Sequence, residues 1–163
     1  MLLAAIAVVL LGLDQIVKAL VERGMSEGQR IELLGPLLQL HFVRNSGAAF
    51  SLAAGQTWLL TLFAIVVTIA IVVLARRIRS LAWAVVFGLV LGGVLGNLSD
   101  RLLRPPGFGR GHVVDYISTP WLIPAVYNVA DMAIVFGMAL FVLLVLLDLG
   151  LDGRRRRGTE RAS

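Results

Sequence analysis

The chain has no cysteine, only two histidines, and just 15% charged residues among its 163 positions. Without cysteine there are no disulfides, thiol nucleophiles or thiolate metal sites. His41 and His112 are the whole imidazole supply and no H-E-x-x-H is present, which argues against a zinc hydrolase. Charge is scarce beside the roughly 25% of ordinary globular domains, which excludes a disordered chain and a cytosolic multidomain enzyme. What is abundant is apolar: 58% of residues, with a mean hydropathy of +0.89. A membrane-spanning helix needs about 20 such residues, so the supply suffices for about four spans with little left for a separate soluble core.

Four apolar runs fill that allowance, at about 2–21, 58–75, 81–98 and 126–149. The first lacks a basic n-region and carries Asp14 and Lys18, so it reads as a retained helix rather than a cleaved leader. The expected fold class is an all-α membrane protein of four transmembrane helices with a small β-containing extracytoplasmic loop region. It forms a single domain over residues 1–150, with a disordered basic tail at 151–163. Within the loop at 22–56, alternation in Arg30–Leu34 and Leu38–Val43 around Gly35-Pro36 predicts short strands. No internal repeat is visible, which disfavours an inverted-repeat transporter.

The 15 basic residues outnumber the 10 acidic ones. On a soluble chain that excess would suggest nucleic acid, but here it flanks apolar runs and reads as topogenic, with no nucleic-acid partner. The 76–80 turn holds three arginines in five residues and the tail holds five. The loops 22–56 and 101–125 hold three each in 35 and 25 residues. The dense side is the cytoplasmic one, so both termini lie inside and both long loops face out.

Polar residues inside spans are costly and are candidates for function. Under this topology Asp14 and Lys18 near the end of the first span, Asn97, Asp100 and Arg101 at the end of the third, and Asn128 and Asp131 at the start of the fourth all converge near the outer interface. A channel or transporter would place polar groups at the midplane instead. Each cluster also has a structural reading: Asp14/Lys18 as an i,i+4 ion pair, Gly96-Asn97 as a helix end, Asn128-x-x-Asp131 as a cap, and Arg44–Gly47 as a turn. Asp115 resists such a reading, since it lies in an apolar stretch with only Arg110 as a local basic partner. Two carboxylates in a poorly solvated site share one proton, so one activates water while the other protonates the substrate. Asp115 and Asp131 are the natural pair. A serine mechanism would have to recruit Ser46 or Ser99 with a histidine, without a G-x-S-G signature.

Five blocks then carry a resemblance. They are Asp14-Gln15-x-x-Lys18, Phe42–Ser51 (FVRNSGAAFS), Gly96–Arg101 (GNLSDR), Val113–Ile117 (VVDYI) and Tyr127–Ile134 (YNVADMAI). In this order they resemble the lipoprotein signal peptidases, the type II signal peptidases of bacteria. The resemblance implies an aspartyl endopeptidase of the cytoplasmic membrane that removes signal peptides from diacylglyceryl-modified prolipoproteins, cutting just before the lipidated cysteine. It implies Asp115 and Asp131 as the catalytic dyad. Asp14, Lys18, Asn45, Gly47, Asn97, Asp100, Arg101 and Asn128 would bind substrate or support the dyad. It further implies no metal or cofactor, a monomer, and as partners lipidated prolipoproteins and membrane lipids, with the loop 22–56 as cradle or lid. The rival from another class is a non-catalytic transporter or assembly factor built on the same polar residues.

Overall fold

Long stretches of Leu, Val, Ile and Ala, with all five prolines confined to the loops between them, leave the backbone little alternative to helix in an apolar medium. A computed structural model describes residues 1–47 and 57–155. It contains α1 (Leu2–Gly24), β1 (Arg30–Glu32), β2 (Gln39–Asn45), α2 (Thr57–Ala75), α3 (Leu81–Leu103), β3 (Val113–Ser118), β4 (Val126–Tyr127) and α4 (Val129–Leu146). All four helices are long and apolar enough to cross a membrane. The four strands form one antiparallel sheet in the order β1-β2-β3-β4.

α3 is the hub. In its most apolar 18-residue stretch 61% is covered inside the molecule, against 17–22% for the other three helices. Close approach is made possible by glycine at every fourth position. A Cβ at Gly88 would stand 2.9 Å from Ile6 Cβ, one at Gly92 2.8 Å from Leu10 Cβ, and one at Gly96 2.6 Å from an Asp14 carboxylate oxygen. On another side of α3, a Cβ at Gly93 would lie 2.4 Å from the Ala130 carbonyl oxygen of α4. Small residues at such spacing let helix backbones meet where lipid offers no hydrophobic drive for association. At the Leu81 end, Trp83 packs on Phe87 and Phe141 with ring centroids 5.7 and 5.3 Å apart.

The structure moves several expected boundaries. α3 continues through Asp100 and Arg101 to Leu103 instead of ending near Leu98, so Gly96 is a contact point and not a helix end. α1 likewise runs on to Gly24. Val126 and Tyr127 belong to a strand paired with Ile117 and Ser118, and α4 starts only at Val129. The strands predicted around Gly35-Pro36 are present, and Gly35 takes a left-handed φ of 55° at that turn. β3 was not anticipated. It is buried on both faces, so period-2 alternation is absent from its sequence. Nor is the tail free from residue 151 onward: the Leu151 carbonyl accepts hydrogen bonds from Arg79 and Ser80 N–H at 3.0 and 3.1 Å. Residues 156–163, and Ala48–Ser51 of the second resemblance block together with the rest of 48–56, lie outside the described residues.

Candidate active site

The sheet and the bundle meet where β4 runs directly into α4. Asn128 is the N-cap of α4: its side chain accepts from the Asp131 N–H at 3.0 Å, and the Asp131 carboxylate accepts from the Asn128 N–H at 3.1 Å. This is a reciprocal capping box, so the cap reading of Asp131 is correct as geometry. It does not exhaust the residue, because the other Asp131 oxygen accepts from Asn97 Nδ2 at 2.7 Å.

Asp115 reaches the same place from β3. Asn128 Nδ2 donates to its Oδ1 at 2.6 Å and Asn45 Nδ2 to its Oδ2 at 2.8 Å. Asn45 is placed by register: Val43 lies opposite Asp115 and Asn45 opposite Val113, which sets Asn45 diagonally across on the same face. Each of the four carboxylate oxygens of Asp115 and Asp131 therefore has one protein donor, with lone-pair capacity to spare.

Three asparagines supply side-chain donors, and the carbonyl end of each amide is held elsewhere. Asn45 Oδ1 accepts from the Gly47 N–H at 2.8 Å, Gly47 taking the left-handed φ of 94° that the turn requires. Asn128 Oδ1 accepts from Asp131 N–H, and Asn97 Oδ1 accepts from Lys18 Nζ and Asn128 Nδ2, both at 3.1 Å. With the oxygen ends occupied, each amide turns its NH2 toward a carboxylate. An Asp in any of these positions would set acid against acid.

Lys18 is the anchor beneath this layer. Its fully buried ammonium lies 2.8 Å from Asp14 and 2.7 Å from Asp100, and donates to Asn97. All three N–H donors are thereby used, which is the condition under which a buried ammonium is tolerated. Its partners extend to both aspartates: Asp14 accepts from the Ala130 N–H at 3.1 Å and Asp100 from the Val114 N–H at 3.2 Å. Ala130 and Val114 are the residues preceding Asp131 and Asp115. One lysine thus fixes the backbone next to each carboxylate and the amide that bonds Asp131.

Asp115 is 2% exposed, whereas Asp131 is half-buried. Burial and, after it, the charge of Asp131 push the Asp115 carboxyl up to about 7, against the pull of its two amide donors. Arg101, i+4 from Asn97, donates to the Asn97 carbonyl at 3.3 Å and lies within Coulombic reach of Asp131 and Asp115. It also lines a cavity of about 320 Å³ between α2, α3 and α4, with Asn97 at the same polar end and Leu60, Phe63, Val94 and Ile134 along the rest.

All ten residues singled out from the sequence thus lie in or directly beside one cluster. Three further members were not singled out as site residues. Gln15 bridges Asp14, Asp100 and the Gly96 carbonyl at 3.1–3.2 Å, while Arg104 pairs with Asp100 at 2.8 Å and with Glu22. The i,i+4 spacing of Asp100 and Arg104 was the available signal. Of the residues in the serine alternative, Ser99 Oγ donates to Gly96 O in its own helix and His41 stands opposite Arg30 in the sheet. Among the described residues no three His, Asp or Glu side chains converge as a metal cage.

A sequence profile described as "Signal peptidase (SPase) II" matches residues 6–147. The chain is 56% identical over 156 residues to the lipoprotein signal peptidase of Leifsonia xyli subsp. xyli, covering 96% of this chain and 72% of that protein. It is 48% identical to the lipoprotein signal peptidase of Rhodococcus jostii over 161 residues, covering 99% and 80%. Among solved structures it is similar to a bacterial membrane enzyme determined by the in meso method at 1.9 Å, with TM-score 0.78, 29% identity, and coverage of 88% of this chain and 92% of that one.

Proposed function

The chain belongs to the signal peptidase II family and is a bacterial multi-pass membrane protease of lipoprotein processing; from that premise we propose that Asp115 and Asp131 form an aspartyl dyad that cleaves diacylglyceryl prolipoproteins just before the lipidated cysteine. The observation that carries this reading is the shared amide of Asn128, which donates to Asp115 while accepting from the Asp131 backbone.

The chemistry follows from the environment. Two carboxylates bridged by Asn128, with one of them buried and within reach of the other's charge, retain one proton between them, and the more buried Asp115 favours holding it. The other carboxylate takes a proton from water as its oxygen attacks the scissile carbonyl, and the shared proton goes to the developing oxyanion. Collapse of the tetrahedral intermediate breaks the C–N bond, with a proton delivered to the leaving amine of the cysteine. No metal or cofactor enters these steps. Asn45, Asn97 and Asn128 hold the carboxylates, and Lys18 with Asp14 and Asp100 holds the frame around them.

The cavity beside Asn97 and Arg101 suits the substrate. Its apolar length accepts an acyl chain or part of the signal helix, and Arg101 Nε, buried without a partner among the described residues, offers a donor to a peptide carbonyl. The density of arginine in the 76–80 turn and after α4 supports a topology with both termini in the cytoplasm and the dyad near the outer face, where a lipid-anchored cysteine resides.

The test is incubation of the purified protein with a diacylglyceryl-modified prolipoprotein and with its unlipidated form, followed by mass analysis of the products. The expected product begins at the lipidated cysteine, with the rate unchanged by chelator. Cleavage at another bond would refute the substrate reading, and loss of activity with chelator would refute the metal-free mechanism.

A further inference from the structure

At the end of the bundle away from the aspartates, two separate segments fold into one basic surface. The turn between α2 and α3 reads Arg76-Arg77-Ile78-Arg79-Ser80. Beyond α4 the chain reverses at Asp148, whose φ is 54°, and forms a hook: Gly150 N–H donates to Arg154 O at 2.8 Å, Gly153 N–H to Gly150 O at 2.8 Å, and Leu149 bridges Arg155. The hook is fastened to the turn. Leu151 O accepts from Arg79 and Ser80 N–H, and the Trp83 indole N–H donates to Leu149 O at 3.1 Å. Ile78, Leu149 and Leu151 pack against the apolar cluster below.

This arrangement joins Arg76, Arg77 and Arg79 to Arg154 and Arg155. All five are exposed, and none forms an ion pair among the described residues. Among the described residues the acids on this surface are Asp148 and Asp152, also exposed; Asp152 accepts from the Arg154 N–H at 3.0 Å. The arginines follow the last residues of two apolar helices or precede the first residue of a third, and exposed Leu81, Leu146 and Leu147 flank them. Basic side chains just beyond the ends of membrane-spanning helices lie at the level of lipid phosphates.

We propose that the turn and the hook together form a docking surface for anionic phospholipid headgroups. The ligand chemistry is a phosphodiester, which guanidinium groups bind as a fork. Orienting the chain in the membrane requires only basic residues in each segment separately. It does not require the backbone hydrogen bonds that bring the second segment onto the first, and a composite surface does. The inference is independent of the peptidase reading.

The full-length protein is placed in nanodiscs of phosphatidylcholine with a graded fraction of phosphatidylglycerol, and the lipids retained on it are counted by native mass spectrometry. Wild type is expected to enrich the anionic lipid, and R76Q/R77Q/R79Q and R154Q/R155Q, each at wild-type helicity, are expected to lose about five-fold for each arginine removed. Gly153→Val keeps every charge but strains a φ of 83° and brings a Cβ to 3.3 Å from Ser80, so it is expected to lose as much as R154Q/R155Q. Retention of wild-type enrichment by the Gln variants would overturn the site. Full enrichment in Gly153→Val would overturn its two-segment construction. Inorganic phosphate in neutral discs is expected to leave thermal stability unchanged; stabilisation equal to that by the anionic lipid would reassign the surface to free phosphate.

Discussion

The two ends of α3 settle the same problem, how to finish a helix packed inside a bundle, in opposite ways. At the Leu81 end aromatic rings fill the core, the charged groups are exposed, and the polar links to the segment after α4 run from Trp83 to Leu149 O and from the Arg79 and Ser80 N–H to Leu151 O. At the Leu103 end charge goes inside, and Lys18, Asp14, Asp100, Asn97 and Asn128 are each satisfied by named partners. The first end can relax after a substitution. The second cannot, because removing any one group leaves another buried and unpaired.

The largest effect on folding should therefore come from Lys18→Met. It removes the ammonium from between two buried carboxylates, at a cost of about 3–5 kcal/mol, and it frees the backbone at both Ala130 and Val114. Denaturation of the detergent-solubilised variant should show that loss together with near-complete loss of cleavage. A fully active, fully stable Lys18→Met would separate the triad from the dyad.

A smaller effect with a distinctive signature is expected from Asn45→Ala. Its amide donates to the charged form of Asp115, so its removal raises the Asp115 carboxyl further above about 7. Since catalysis needs one shared proton, activity falls as pH rises past that value, and the alkaline limb of the variant should move to higher pH as kcat drops. Stability follows the same sign. The folded state binds the Asp115 proton more tightly than the unfolded chain does, so this group's contribution weakens as pH rises from about 4 to about 7. An unmoved alkaline limb in Asn45→Ala would remove Asp115 from the titration.

Smallest is Trp83→Phe at the opposite end. It keeps a ring against Phe87 and Phe141 and gives up one hydrogen bond to Leu149 O, for about 1 kcal/mol and unchanged cleavage. A loss matching that of Lys18→Met would erase the contrast between the two ends.

The same contrast explains what could be read from the sequence. Apolar runs announced four helices, and the sparse polar residues within them announced where they converge, because a charge in an apolar span demands a partner. The helix limits were less legible. Asp100 and Arg101 look like the start of a loop until Lys18 and Asn97 arrive from α1 and the helix's own previous turn to cover them. Val126 and Tyr127 look like the start of a span until pairing with β3 takes them. β3 itself is an apolar stretch interrupted by one acid, and only the sheet around it makes that acid a partner for Asn128. The hook after α4 depends on carbonyls accepting from a turn some 70 residues away, a contact that leaves no pattern in local composition.

The central claim is that both aspartates take part in bond cleavage, and it is tested most directly by single-turnover cleavage of a diacylglyceryl prolipoprotein by wild type, Asp115→Asn and Asp131→Asn in one detergent preparation. Each Asn variant is isosteric and should remain inserted and folded while its rate falls by about 10³-fold or more, since removing either member leaves no acid–base pair. Cleavage by either variant at the wild-type rate would show that its aspartate serves only as the cap or strand partner seen in the structure, and the dyad would be wrong.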